Sequence, residues 1–503
     1  MTDEGRTDNQ TPAYTAADLA RIAGGELVCG LPTATFAGAG YDSRVIRPGQ
    51  LFFAIKGSRV DGHDFLPDAA QRGATCFLVS AWRPEWQDAL AQSSPANSAV
   101  IRVPDTVRAM GRFARAHRRA HSPLVIGVTG SVGKTTAKDM AAHILEQSRR
   151  CLVTEGNLNS DVSLPIVLLQ LNARHELAVL EMATRGGGQL TYLAEMAEPH
   201  IALITVVAPV HVQTIGSLAA IASAKAELAR AIPDDGLVVY NHDSAALREE
   251  LRRLPLECPT VSYGFDSAAD VTVTDAVTSF VHREGHLQAE LRCSVACKPG
   301  PAASRLSLPT RGVLSFSLPY PGRHNALNAI GAALAGAAAG IPFADGLGRL
   351  RSFTPRSAMR LDISLHHGLL LIDDAYNANP LSMTAALEIL DSAAAGRRRA
   401  AILGDMRELG PLEATSHRQL GREVARAGLD LLICVGRATC EHTAPAAIAG
   451  GLPREAVLCA DGNSQAAQMV LSWLRPGDAL LIKGSRGLTM EEVVEAVRRG
   501  WTG

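Results

Sequence analysis

The sequence predicts an α/β protein of three domains: a small mixed α/β domain, a central doubly wound sheet with an antiparallel β insertion, and a second doubly wound domain. Three observations predict it. The chain has 503 residues, and at roughly 100–200 residues per domain that suggests three. Near-continuous apolar runs alternate with helical patterns through the middle and again toward the end, as in parallel sheets covered on both faces. A Gly-rich loop, Gly127-Val-Thr-Gly-Ser-Val-Gly-Lys-Thr-Thr136, joins one such run to a helix.

Composition narrows the class. Apolar residues make up 47% of the chain, enough for each domain to bury a core. Lys plus Arg number 49 and Asp plus Glu 50, so no basic excess marks a general nucleic-acid binder. The nine cysteines are odd in number and scattered, which fits reduced thiols in a cytoplasmic protein. No apolar run is long enough to span a membrane, and the polar stretch Met1 to Pro12 has no secretory core. Residues 1–12 are expected to be a disordered tail, followed by domains at 13–103, 104–355 and 356–503.

In the first domain, strands are expected at Leu51 to Ile55 and Cys76 to Val79, with turns at Pro48-Gly49 and Asp61-Gly62. Asp105 to His121 reads as a basic, partly amphipathic helix. The central strands are Leu124 to Val128, Leu177 to Leu180, Ile201 to Val207 and Leu237 to Asn241, with a helix from Ala137 to Gln147. Asp270 to about Ser317 alternates as an antiparallel insertion would, and an Ala-rich helix runs from Asn325 to Ala339. Phe353 to Arg360 contains a proline and a change of pattern, so it reads as a hinge. The last domain has strands at Leu369 to Ile372, Arg399 to Leu403, Leu431 to Val435 and Ala479 to Ile482, a Rossmann-like alternation.

The Gly-rich loop is the strongest motif. Following a strand and opening a helix is the context a phosphate-binding loop requires. Gly130 and Gly133 let the backbone, with Ser131, turn its N–H groups toward anionic oxygens, and the helix N-terminus adds its positive end. Lys134 can bridge phosphates, Thr135 can ligate Mg²⁺, and Thr136 closes the motif. The strict spacing would put Gly at Val128, so the loop is the shorter T-G-x-x-G-K-T-T form. Glu181 and His211 follow strands of the same expected sheet and Lys225 lies on a helix 14 residues beyond His211, toward the sheet's carboxyl ends, where open α/β sheets bind ligands. Singly, such a His is more often a structural hydrogen-bonding residue and such a Lys a solvated charge. Behind a phosphate loop, a carboxylate and an imidazole could hold a second divalent ion.

Beyond Gly127 the chain resembles the Mur ligases, which build the peptide stem of bacterial cell-wall precursors. The resemblance is carried by T-G-S-V-G-K-T-T, Gly156-Asn-Leu-Asn-Ser-Asp161, Leu180-Glu-Met-Ala-Thr-Arg-Gly-Gly-Gly-Gln189, Ala208-Pro-Val-His211 and Ala224-Lys-Ala-Glu227. It continues through Pro321-Gly-Arg-His-Asn325 with Asn328, Met359-Arg360, Asp373-Asp-Ala-Tyr-Asn-Ala-Asn-Pro380, Gly404-Asp-Met-Arg-Glu-Leu-Gly410 and Lys483-Gly-Ser-Arg486. It implies ATP and Mg²⁺ as cofactors, with Glu181, His211 and a carbamylated Lys225 on metal. It implies Asn325 and Asn328 at adenine, Arg360 and Asp374 at ATP phosphate and ribose after domain closure, and Asn157 and Asn159 facing a UDP-sugar substrate. Tyr376, Asn377, Lys483 and Arg486 are the expected substrate contacts on the last domain. Tyr41-Asp-Ser-Arg44, Pro48-Gly-Gln-Leu-Phe-Phe-Ala54 and Asp61-Gly-His-Asp-Phe65 are similar to the UDP-binding domain of the family, with Ser43 and Arg44 as candidate contacts.

The D-N-P-R motif of the ligases that add the third residue is absent. The resemblance therefore implies ligation of D-alanyl-D-alanine to a UDP-muramoyl-tripeptide through an acyl phosphate, by a monomer that uses no nucleic acid and inserts in no membrane. The third-residue ligases, and a phosphate-loop ATPase that makes no bond, are the competing readings, and turnover separates them. Two departures stand out. Gln213 sits where the family carries a carboxylate after the metal-strand histidine, and Met359 replaces a glycine seen in some members. His282, His286, Cys293 and Cys297 have loosely zinc-like spacing, but nothing in the pattern brings the pairs together.

Overall fold

The computed structural model describes residues 14–93, 97–210, 212–283, 286–357 and 359–503. The tail expected at 1–12 and the metal-set residue His211 lie outside them. The chain forms two compact units, one of Met1–Gly127, Leu145–Thr184 and Gly188–His200, the other of Val128–Ile144, Arg185–Gly187 and Ile201–Gly503.

The first unit holds a five-stranded sheet in the order Glu26–Gly30, Ala99–Arg102, Cys76–Val79, Leu51–Phe53, Ala39–Gly40. All its neighbours run parallel except the first pair. Phe52, Phe77, Leu66, Ala69 and Val100 form the core on one face. The Thr106–His121 helix starts where Asp105 accepts the Arg108 N–H and ends at Ser122 in the left-handed region. Its apolar stripe, Met110, Phe113 and Ala114, is buried, and the basic residues of its last turns converge on one acid. Arg115 and Arg119 pair with Glu198, and buried Arg118 donates to the carbonyls of Ala197 and Glu198. Gly111 is required by close approach, because a Cβ there would lie 2.2 Å from the Tyr192 hydroxyl. The Leu177–Glu181 strand runs parallel to Cys151–Val153 in this unit.

In the second unit, Ile201–Ile204, Leu237–Asn241, Thr260–Gly264 and Val271–Arg283 pair in parallel, as strands buried on both faces do. The expected antiparallel insertion is the Val271–Arg283/His286–Cys297 hairpin plus Leu314–Leu318, and it extends the same sheet. Cys293 and Cys297 are buried strand residues, while the side chains of His282 and His286 lie outside the described residues. The strand expected at Ile201 to Val207 ends at Ile204, because the Thr205 hydroxyl donates to Val132 O at 2.7 Å and turns the chain toward the phosphate loop.

The C-terminal sheet has the order Asp362–His366, Leu369–Asp373, Ala479–Lys483, Arg399–Gly404, Leu431–Val435, Val457–Ala460, parallel except for its first pair. Two hydrophobic clusters cover its faces, one around Met383, Leu387 and Leu420, the other around Val470, Met490 and Val493. That double cover explains why its inner strands read as unbroken apolar runs. Pro380–Ala393 starts with an Asn379/Ser382 capping box. Among the described residues no helix is long and apolar enough to cross a membrane, and all nine cysteines are free.

Candidate active site

Two glycines shape the loop after Thr129. Gly130 (φ 145°) and Gly133 (φ 88°) hold angles that side chains rarely adopt. A Cβ on Gly130 would lie 2.0 Å from Thr205 Oγ1, and one on Gly133 would lie 2.5 Å from Asn328 Oδ1. The Ser131 N–H donates to Val206 O at 2.8 Å and its hydroxyl to Ala208 O at 2.9 Å, which ties the loop to the chain leaving the next strand. The helix begins at Lys134, three residues before the sequence expectation, so the loop's lysine lies in its first turn. The Lys134 ammonium curls back and donates to Gly130 O at 3.0 Å and Ser131 O at 3.2 Å, holding a cation over the loop. Thr135 is buried and Thr136 half-buried beside it. Val128 is an interior strand residue, fully buried, so the shorter loop form is the observed one.

Asn325 and Asn328 open the His324–Ala338 helix against this loop. Asn325 Nδ2 donates to Pro321 O at 2.6 Å, and Asn328 Nδ2 to Asn325 Oδ1 at 2.9 Å. Both are buried. The helix packs closely because it is small-residue rich: a Cβ on Gly331 would meet Leu203 Cδ1 and the Tyr263 ring at 2.9 Å.

The C-terminal candidates also converge. Lys483 Nζ, 1% exposed, sits 2.5 Å from Asp374 Oδ2 and 2.9 Å from Asn377 O. The Arg360 guanidinium lies over the Tyr376 ring at 4.1 Å, and Arg486 approaches the same ring at 5.8 Å. Arg360 O accepts from the Tyr320 hydroxyl at 2.9 Å, while its Nε is buried without a hydrogen bond. Both neighbours of Arg360 in the chain, Met359 (φ 60°) and Leu361 (φ 51°), adopt left-handed backbone, and Leu361 N–H donates to Asp374 Oδ1. The expected hinge is therefore a strained arm that carries a stacked, incompletely satisfied guanidinium. Arg360, Asp374, Tyr376, Asn377, Lys483 and Arg486 form one constellation.

Residues of the other candidates are placed as follows. Lys225, 3% exposed, lies with buried Glu227 on the Leu218–Arg230 helix. The Gln213 N–H donates to Glu408 O at 3.2 Å, and a Cβ on Gly410 would meet the Gln213 backbone at 3.1 Å. The residue that departs from the acidic pattern is thus packed by the backbone of the Gly404–Gly410 loop. In the first unit, Glu181 is 3% exposed. It receives the Asn159 amide on Oε1 at 2.7 Å, while its Oε2 is buried with no partner. Such an orphaned carboxylate oxygen fits a cation ligand. Asn159, expected to face substrate, orients this carboxylate, and Asn157 is exposed. Among the described residues no group of three His, Cys, Asp or Glu side chains converges as a metal site.

Ser43 is buried in the turn capped by Asp42, and exposed Arg44 is held by both Asp42 oxygens at 2.9 and 2.7 Å. His63 of the Asp61-Gly-His-Asp-Phe65 stretch accepts the Ser80 N–H on Nε2 at 3.0 Å, so its Nδ1 donates to Asp61 Oδ1 at 2.6 Å. That motif is a staple between two turns.

Sequence reasoning missed four residues. Lys138 and Asp139, both 2% exposed, form an ion pair at 2.7 Å on the loop's own helix. Tyr320 is buried where Asp374 and Asp139 both add to burial in pushing its hydroxyl proton affinity up. His324 is held neutral, its pKa lowered to about 4 by burial and then by the Lys483 ammonium. Their signal was adjacency to the loop and to Asn325, which residue type alone does not reveal.

Family models match three successive stretches: the catalytic domain of the Mur ligase family at 35–118, the Mur ligase middle domain at 128–336 and the Mur ligase glutamate ligase domain at 359–486. The UDP-N-acetylmuramoyl-tripeptide--D-alanyl-D-alanine ligase of Bacillus subtilis is 33% identical over 464 residues, covering 91% of this chain and 92% of its own. The enzyme of the same description from Escherichia coli is 33% identical over 472 residues, covering 92% and 93%. The crystal structure of MurF from Acinetobacter baumannii superposes with a TM-score of 0.80 at 27% identity, covering 97% of this chain and 99% of that one. The chain belongs to the Mur ligase family.

Proposed function

We propose that this enzyme joins D-alanyl-D-alanine to UDP-N-acetylmuramoyl-tripeptide in peptidoglycan synthesis, converting ATP to ADP and phosphate through an acyl phosphate. The observation that carries the reaction class is the glycine-shaped loop under the Lys134 ammonium with Asn325 and Asn328 packed on it. The choice of dipeptide is supported by the relatives of that description, each aligned over nine-tenths of both chains.

The residues divide the work as follows. The loop N–H groups and Lys134 hold the β- and γ-phosphates, and Asn325 and Asn328 meet adenine. The tripeptide's terminal carboxylate attacks the γ-phosphorus, ADP leaves, and the dipeptide amine displaces phosphate from the acyl phosphate. Lys134 and Arg360 stabilise charge on the transferring group. Arg360 stacked on Tyr376, with Asp374, Asn377, Lys483 and Arg486, forms the C-terminal wall that contacts ATP and incoming dipeptide and excludes water. Ser43, Arg44 and Asn157 contact the UDP-sugar, and Asn159 positions Glu181.

Thr135, Glu181, His211 and Lys225 would hold divalent cations, with Lys225 as its carbamate because a bare ammonium there would repel them. Bound Mg²⁺ supplies neutralisation of the phosphate charge. Domain limits of 13–103, 104–355 and 356–503, a monomer and a cytoplasmic location complete the reading.

The test is phosphate release from ATP with UDP-muramoyl-tripeptide, Mg²⁺ and bicarbonate, with and without D-alanyl-D-alanine. Release that needs both substrates, with a UDP-pentapeptide by mass, is expected. Release independent of the dipeptide, or a single amino acid used on a shorter precursor, overturns the reading.

A further inference from the structure

The C-terminal sheet carries a thiol cluster that ligation does not use. Cys434 and Cys459 are directly paired residues on adjacent parallel strands, so their side chains share one face. Cys440 follows Cys434 in the short helical turn Thr439–Thr443, and its Sγ lies 3.7 Å from Cys434 O. Cys440 Sγ, resting on the Cys434 carbonyl, thus sits beside the strand pair that carries Cys459, and the three thiols form one cluster. Access is graded: Cys434 is buried, Cys440 half-buried and Cys459 exposed.

We propose that Cys459 is a peroxide-reactive thiol and Cys440 its resolving partner, so that mild oxidation closes a Cys440–Cys459 disulfide. The ladder holds Cys434 and Cys459 at the spacing of neighbouring strands, wider at Cβ than a relaxed disulfide tolerates. Cys440 lies on a turn outside the ladder and is free of that constraint. Electrostatics agree. The neighbouring thiols, Cys434 first and then Cys440, hold the Cys459 thiol low, at about 6. Burial, then its hydrogen bond to Cys459, pushes Cys440 up to about 12, with the Asp405 and Asp461 carboxylates adding to the rise. Cys459 is thus the thiol of the cluster that sheds its proton most readily, while Cys440 holds its own.

The chemistry balances. The deprotonated Cys459 sulfur attacks one oxygen of hydrogen peroxide, the O–O bond breaks, and hydroxide leaves to take a solvent proton as water, with a sulfenic acid behind. Cys440 sulfur attacks the Cys459 sulfur, the S–O bond breaks, and hydroxide departs as water with the Cys440 proton. The new bond would lie next to Thr439, whose N–H and hydroxyl hold Asp405 Oδ1 at 2.7 and 2.9 Å. The Asp405 carbonyl in turn accepts the Ser485 N–H.

The test uses the full-length reduced protein, titrated with hydrogen peroxide, alkylated and mapped by peptide mass. A dithiothreitol-reversible Cys440–Cys459 peptide is expected, formed at least about tenfold faster than any oxidation of half-buried Cys29. C440S should leave a sulfenic acid on Cys459 that dimedone captures, and C459S should abolish both products. A Cys434–Cys459 link, or oxidation no faster than that of Cys29 in the wild-type protein, overturns the proposal.

Discussion

The Gly-rich loop and the C-terminal constellation are built by opposite means. The loop is made from one contiguous stretch, its backbone shaped by two glycines and covered by one returning lysine. The constellation is made of side chains from Arg360, Asp374 to Asn377 and Lys483 to Arg486, joined by an ion pair, a ring stack and strained backbone. Backbone sites survive most neighbouring substitutions because the peptide is always present. Side-chain sites depend on each partner finding the other.

Substitutions sharpen that contrast. The largest effect is expected at Lys134→Ala, which removes the loop's only side-chain cation. Turnover should fall about 10³-fold with circular dichroism unchanged. A loss below about tenfold would mean the loop backbone alone suffices.

Lys483→Met leaves Asp374 buried and unpaired, so it should cost about 3–5 kcal/mol in denaturant unfolding. The double variant with Asp374→Asn should recover most of it. If single and double variants unfold alike, the constellation is not held by that pair.

Arg360→Lys keeps the charge and loses the planar stack on Tyr376, so kcat/KM should drop about tenfold with stability nearly unchanged. Equal activity would assign Arg360 to charge alone.

The smallest effect is a pH dependence at His324, where the two regions meet. Its folded pKa of about 4 lies below the ordinary value of about 6.5, so the unfolded chain binds more protons between them. Its contribution to stability is therefore complete above pH of about 6.5 and is lost as pH falls toward about 4. His324→Asn should flatten that part of the stability profile relative to wild type.

The same contrast explains what was legible. Gly130, Gly133 and Lys134 could be read directly because contiguous spacing encodes backbone geometry, and the double-covered strands could be read because burial on both faces leaves apolar runs. Strand ends and helix starts near the loop shifted by three residues, since Thr205 and Lys134 answer to hydrogen bonds across the fold. The motif around Arg360 and Lys483 could be read only as a resemblance. Nothing in periodicity pairs Lys483 with Asp374, or puts the Asn159 amide on Glu181. Lys138, Asp139, Tyr320 and half-buried His324 escaped because ionisable residues taken into the interior resemble surface ones until their neighbours are known.

Met359 offers a last consequence, in the thermodynamics of the unfolded chain. A methionine at φ 60° carries a Cβ penalty of about 1–2 kcal/mol that a glycine would not. Glycine, however, would enlarge the ensemble of unfolded conformers and loosen the segment that presents Arg360. By accepting local strain, the chain narrows the conformers available to the arm that presents Arg360. Met359→Gly would relieve that local strain, offset in part by the larger unfolded ensemble, and would surrender preorganisation.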